Sequence, residues 1–180
     1  MKIFRNILLV ILALLAIPFI GLLFMEEEYA VERNVVINAP SSEVFDYIKY
    51  LKNQDNYSKW SSMDPDMEKK YVGEDGKVGF ISKWNSTNEE VGVGEQEIIK
   101  IEEGKRIDFE LRFYEPFQST EDAYMLVEPL DSSRTKVYWG FSGSFDYPSN
   151  AMLLFIDFEE AIGNDFDQGL AKLKEILENQ

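Results

Sequence analysis

The sequence predicts an α+β fold: a curved antiparallel sheet of about seven strands around one long C-terminal helix, with an N-terminal transmembrane helix ahead of it. Three observations predict this. Residues 6–25 carry no charge. Residues 67–145 alternate apolar and polar side chains in short runs split by turn residues. From about Asn150 to Glu178 the apolar period becomes helical, and these three rhythms are the primary signals of span, strand and helix.

The first segment reads "NILLVILALLAIPFIGLLFM", Asn6 to Met25. About 20 helical residues rising about 1.5 Å each cross the hydrocarbon layer of a bilayer. Lys2 and Arg5 precede the run and Glu26, Glu27 and Glu28 follow it. The positive-inside rule then leaves the short N-terminus in the cytoplasm and the rest of the chain outside. No small-x-small site follows the run, which favours an uncleaved single-pass anchor over residues 1–25 above a cleaved signal peptide. A buried soluble helix would need a polar face that this run lacks. Residues 26–32 read as a linker, and residues 33–180 as one folded domain.

The domain opens with "NVVINAPSSEVFDYI", residues 34–48. Before Pro40 it alternates as a strand. After Pro40, a residue at home in a first helical turn, Val44, Phe45, Ile48 and Leu51 form a helical stripe. Ser41 and Ser42 are candidate caps and Glu43 suits the helix dipole. "KNQDNYSKW" continues as a turn and a short second helix ending near Trp60. Strand follows strand from residue 67, with turns at "EDGK", "EEGK" and "DSS". "RIDFELRFYE" places Ile107, Phe109, Leu111 and Phe113 on one face and Asp108, Glu110 and Arg112 on the other, as a sheet with one wet side requires. Val137, Trp139 and Phe141 share a face in the last strand. The terminal helix carries Phe155, Phe158, Ile162, Phe166, Leu170, Leu173 and Leu177. Its Gly163 and Gly169 each cost about 1 kcal/mol relative to Ala, which close approach to the sheet would explain.

The composition excludes several chemistries. The chain has no cysteine and no histidine, so thiolate nucleophiles, Ser-His-Asp systems and His-ligated metals are absent. Any acid or base must be Asp, Glu, Tyr or Lys. A net charge of -15 repels phosphate backbones, so nucleic acid is not an expected partner. "DPDMEKK" lacks the glycine and terminal Glu of a calcium loop, and "GVGEQE" lacks the third glycine and following helix of a dinucleotide site. No metal and no cofactor is expected.

The order strand, short helices, six antiparallel strands, long helix resembles the helix-grip fold of the SRPBCC superfamily. That superfamily takes in START lipid-transfer domains, pollen allergens, aromatase/cyclases and homologues of a heat-shock chaperone activator. The resemblance rests on Ala39-Pro40 with Val44-Phe45, on Trp60 and Trp84, and on "GVGEQEI", "LRFYEPF", "VYWGFSG" and "IGNDFDQGLAKLK". The last block is most similar to the polyketide cyclase/dehydrase subgroup. Where relatives often carry a Trp-x-Pro-aromatic cluster, this chain reads "WSSMDP", with Ser62 and Met63 in place of the proline and aromatic.

The resemblance implies a cavity between sheet and helix, and a concave apolar pocket is the usual small-molecule site. The candidate lining is aromatic: Phe80, Trp84, Phe109, Phe113 and Tyr124 from the first strands, Trp139 and Phe141 from the last, and Phe155 and Phe158 from the helix. Trp84 and Trp139 each have an indole N–H to offer a ligand. Arg112, Glu115, Glu97 and Asp165 are polar candidates, with a solvated surface position as their ordinary reading. The expected function is a membrane-anchored binding domain for a hydrophobic small molecule or lipid. The alternatives are a protein-interaction or chaperone-like module, and a cyclase/hydratase-type enzyme working through acid/base groups in the same pocket.

Overall fold

The computed structural model describes residues 2–179; Met1 and Gln180, the outer ends of the expected anchor and domain, lie outside the described residues. Helix α1 spans Lys2–Leu22 and continues through Pro18. Its uncharged part, residues 6–22, is about 17 residues and so about 26 Å long, because the chain turns at residues 23–25 instead of extending the helix. Among the described residues no helix is long and apolar enough to cross a membrane. The expected span over 6–25 is not supported at its full length: the helix ends at Leu22, short of the apolar run to Met25.

The domain is a seven-stranded antiparallel sheet in the order β1-β7-β6-β5-β4-β3-β2. The strands are β1 (Glu28–Ile37), β2 (Glu68–Val72), β3 (Ile81–Asn85), β4 (Val93–Glu102), β5 (Arg106–Glu115), β6 (Ser119–Pro129) and β7 (Thr135–Ser144). Strands β2 to β7 run as a meander, as short turns favour. The first strand closes on the last, with Glu28 opposite Ser144 and Ile37 opposite Thr135. β1 begins at Glu28, so residues 28–32, read from the sequence as linker, are paired strand. Register shifts at Val93/Gly94 and Ile98/Lys100 interrupt the β4–β5 ladder; such bulges bend a sheet, and here they help to curl it.

Between β1 and β2 lie α2 (Ser41–Ile48), a 3-10 turn (Leu51–Asn56) and α3 (Lys59–Met63). Pro40 occupies the N-cap of α2 and makes no side-chain cap bond, so neither Ser41 nor Ser42 caps it; Glu43 does sit in the first turn. The stripe Val44, Phe45 and Ile48 is buried as the period requires. Buried Thr135 ties this corner to the sheet, its Oγ1 donating to the Ala39 carbonyl at 2.8 Å.

The terminal helix is shorter than its period implies. Residues Ser149–Leu154 form a separate 3-10 turn, and α4 runs Phe158–Glu178. Asp157 sets its start by accepting from the Glu160 amide at 2.9 Å, a side-chain cap of the usual kind. α4 lies along β1 on the concave side, with Phe166, Leu170, Leu173 and Leu177 buried in one core with Ile37, Phe45, Phe109 and Met125. The close approach is made at the two glycines. A Cβ on Gly169 would stand 2.8 Å from Trp139 Cζ3 and 3.3 Å from the Tyr57 carbonyl, and Gly163 lies beneath the Arg33 guanidinium. Arg33 in turn donates to Glu159 Oε1 at 2.6 Å and to the Glu159 carbonyl at 2.9 Å, which fastens the first turns of α4 to β1.

Candidate functional site

A cavity of about 260 Å³ remains between the curled sheet, α3 and the first half of α4. Inward-facing positions supply it strand by strand: Lys69 on β2, Ser82 and Trp84 on β3, Gln96 on β4, Leu111 and Phe113 on β5, Ala123 on β6, Trp139 and Phe141 on β7. The period of two along each strand selects these residues and sends their neighbours to the outer face.

Two aromatic walls face each other. On one side Trp139 stacks on Phe166 with centroids 4.6 Å apart, and Trp60 meets both rings edge-on, at 6.3 and 5.9 Å. On the other Trp84 and Phe113 meet edge-on at 5.8 Å. Such tilted contacts favour a rigid wall. The Trp84 indole donates to the Val91 carbonyl at 3.3 Å, so this N–H is engaged within the protein rather than offered to a ligand. Trp139 is almost wholly buried and lines the cavity.

One polar corner interrupts the apolar lining. Lys69 Nζ lies 2.7 Å from Asp55 Oδ1, and the Ser61 hydroxyl donates to the same oxygen at 3.2 Å. The Tyr71 hydroxyl donates to Asp55 Oδ2 at 2.8 Å. Burial first, then this bond, pushes the Tyr71 hydroxyl up to about 12. Lys69, Asp55 and Ser61 all line the cavity. The ion pair neutralises the lysine in place, and it leaves further donor capacity on Nζ for a polar ligand group.

Of the nine aromatic candidates, the fold brings Trp84, Phe113, Trp139 and Phe141 together around the cavity. It does not bring the others there. Phe80 and Phe109 point inward but are buried in solid core, Phe80 stacking on Tyr71 at 6.0 Å. Tyr124 is on the outer face, where its hydroxyl donates to Glu32 and the Arg106 guanidinium lies 3.9 Å from its ring centroid. Phe158 stacks on Tyr29 at 4.6 Å at the end of the sheet. Phe155 falls in the break before α4 and is 85% exposed.

The polar candidates take their ordinary surface role. Arg112 reaches Glu95 at 2.7 Å and Glu97 at 2.6 Å on the outer face, and also pairs with Glu110. Glu115 is exposed, and Asp165 is half-buried on α4 outside the lining. Burial raises the Asp165 carboxyl against the opposing charge of Lys59. The exposed Ser62 and half-buried Met63 do not line the cavity; Trp60, Ser61 and Met67 do.

Sequence reasoning missed Lys69, Asp55 and Ser61. The inward register of Lys69 was legible only once Trp84, its neighbour across β2 and β3, was placed on the concave face. It also missed Glu121, an acid on the concave side of β6 that is 6% exposed. Burial raises its carboxyl, against hydrogen bonds from Ser119 and the Ser144 amide.

A curled antiparallel sheet gripping a terminal helix around a small apolar cavity defines the helix-grip class. Residues 29–178 match the family described as polyketide cyclase / dehydrase and lipid transport, and the chain belongs to that family. No curated protein matches the chain in sequence. Among solved structures it is similar to truncated norcoclaurine synthase from Thalictrum flavum, at 9% identity and a TM-score of 0.62 over 85% of this chain and 95% of that one. It is also similar to a protein from Nitrosospira multiformis, at 19% identity and a TM-score of 0.55 over 83% and 96%. The Aha1 dimer from Colwellia psychrerythraea gives 13%, 0.56, 83% and 96%. At these identities the likeness is one of fold.

Proposed function

We propose that the domain binds a hydrophobic small molecule or one end of a lipid, and that α1 holds it at a membrane with the domain outside the cytoplasm. The cavity between the Trp139–Phe166 and Trp84–Phe113 walls carries the first half of this reading. At about 260 Å³ it lies just under the roughly 300–1,000 Å³ of drug-sized sites. It suits a ring system or a single short chain, and it excludes a whole diacyl phospholipid. The Lys69–Asp55 corner favours a ligand with one polar end, oriented by Nζ.

The anchor is supported by the exposed apolar side chains of α1, among them Ile7, Ile11, Leu15 and Phe19, and by Leu23 and Phe24 just beyond its end. At about 26 Å the helix falls short of a full bilayer, so this reading requires local thinning of the bilayer and snorkelling of flanking residues such as Arg5.

Native mass spectrometry of the full chain released from mild detergent tests the binding half. A small organic molecule retained by the parent and lost from Ala123→Leu, whose larger side chain fills the cavity, supports it. A parent that carries nothing and shows no saturable quenching of its tryptophans by amphiphiles overturns it.

Acid–base catalysis of the cyclase or hydratase type is a second reading, favoured by the pairing of Lys69 with Asp55 and Ser61 in the cavity wall. Here Lys69→Met would abolish turnover, a far larger effect than its weakening of ligand retention in native mass spectrometry. An interaction module with a filled interior is disfavoured by the cavity itself.

A further inference from the structure

The three most exposed apolar positions at the end of the domain where α1 leaves it are Phe155, Phe117 and Leu154. Leu154 is 60% and Phe155 85% exposed in the segment that follows β7, with Met152 and Ile156 beside them. Phe117 is 77% exposed in the hairpin between β5 and β6. The register puts that hairpin at the same end: Phe113 pairs with Ser119, and Asp122 with Ser142, so the β5–β6 turn projects past the edge formed by Glu28 and Ser144. Turns at the other end of the sheet are more mixed: Asp131, Ser133 and Arg134 accompany Leu130 between β6 and β7, Glu103 and Lys105 lie between β4 and β5, and Glu74, Asp75 and Lys77 flank the exposed Val78 between β2 and β3.

The segment 149–156 is joined physically to α1. Asn150, fully buried, donates from Nδ2 to the Leu22 carbonyl at 2.8 Å, which satisfies a carbonyl that the helix end leaves open. Leu22 is itself buried at 9% exposure. Leu154 and Phe155 share a groove of about 740 Å³ with Met25 and Glu26, which follow the turn at the end of the helix. Whatever layer receives the end of α1 also receives this segment.

We propose that Leu154, Phe155 and Phe117 insert into the interfacial layer of the same bilayer that holds α1. The inference rests on the anchor reading and adds to it a fixed pose. The domain sits with the start of α4 and the Trp84–Phe113 end of the cavity toward the lipid. Apolar and aromatic side chains partition into that layer without electrostatic help. Because Glu26, Glu27 and Glu28 crowd the same end, the lipid it fits is zwitterionic rather than anionic.

The chain has no cysteine, so single nitroxide labels can be placed in the full-length protein in phosphatidylcholine vesicles by Ile11→Cys, Phe117→Cys, Phe155→Cys and Leu130→Cys. Accessibility to oxygen against a water-soluble nickel chelate then reads depth. The expected result is a deep label at Ile11, interfacial labels at Phe117 and Phe155 with a several-fold higher oxygen-to-nickel ratio than Leu130, and an aqueous label at Leu130. Labels at Phe117 and Phe155 as aqueous as Leu130, with Ile11 deep, overturn the pose and leave the anchor standing. An aqueous Ile11 label overturns both.

Discussion

Glu121 and Arg112 illustrate how position on a strand decides what a charge does. Glu121 points inward, and burial raises its carboxyl above the ordinary value of 4.5. The folded state therefore binds a proton that the unfolded chain has lost, and stability falls as pH rises from the ordinary value through the raised one. Glu121→Gln removes that penalty. Thermal melts are expected to show the variant above the parent by a few degrees at pH 7, at about 2–4 °C per kcal/mol for a chain of this size, and level with it near pH 4. Arg112 points outward and works in the opposite sense. Burial alone would raise Glu95, but hydrogen bonds from Lys83 and Arg112 outweigh it and hold the carboxyl below its ordinary value. That contribution is present above the ordinary carboxylate range and lost as pH falls through the lowered folded value. Arg112→Met is expected to cost about 1.5–3 kcal/mol in urea unfolding at pH 7, with the gap to the parent closing as the medium is acidified.

Among the elements, α4 and its seat on β7 are the most sensitive. The fit depends on Gly169 having no side chain where Trp139 passes. Gly169→Ala gains about 1 kcal/mol of helix propensity but overpacks the contact, a change that typically costs about 1–3 kcal/mol. A net loss of up to about 2 kcal/mol is expected from denaturant unfolding. The same displacement of Trp139 would narrow the cavity and weaken ligand retention in native mass spectrometry. The outcome separates a seat built for close approach from a glycine that merely weakens the helix, since in the second case alanine would stabilise.

For the whole molecule, charge and apolar surface point in different directions. With a net charge of -15, the protein is repelled by anionic surfaces, over about 30 Å at 0.01 M salt and about 3 Å at 1 M. The proposed membrane association through α1 is then expected to be apolar in origin. In flotation assays the full chain should rise with phosphatidylcholine vesicles equally at low and high salt, and added anionic lipid should not increase the floated fraction. Release by salt would instead indicate a peripheral, charge-driven contact.

The sheet was legible because burial of one face imprints a period of two on Ile107 to Phe113 and Val137 to Phe141. The terminal helix was legible through Phe166, Leu170, Leu173 and Leu177. Its start was not, since Phe155 and Phe158 continue the period by coincidence while Asp157 caps the helix between them. Trp84, Phe113, Trp139 and Phe141 were found as pocket residues because inward aromatics on neighbouring strands converge in a curled sheet. Phe80 and Phe109 share that inward pattern and are solid core, since periodicity gives the face of a strand but not the depth of the hollow above it. Tyr124 faces outward because its strand alternates through Ala123 and Met125, a parity that its own aromatic character hides. Asp55, Ser61 and Lys69 come from three separate elements, and local sequence holds no record of their meeting. Composition and periodicity thus determined the fold class, the absence of histidine and thiol chemistry, and the strongly acidic surface. Tertiary structure alone decided which inward residues enclose space and which fill it, because a cavity is set by how distant elements approach, here through Gly169 against Trp139 and the bulges of β4.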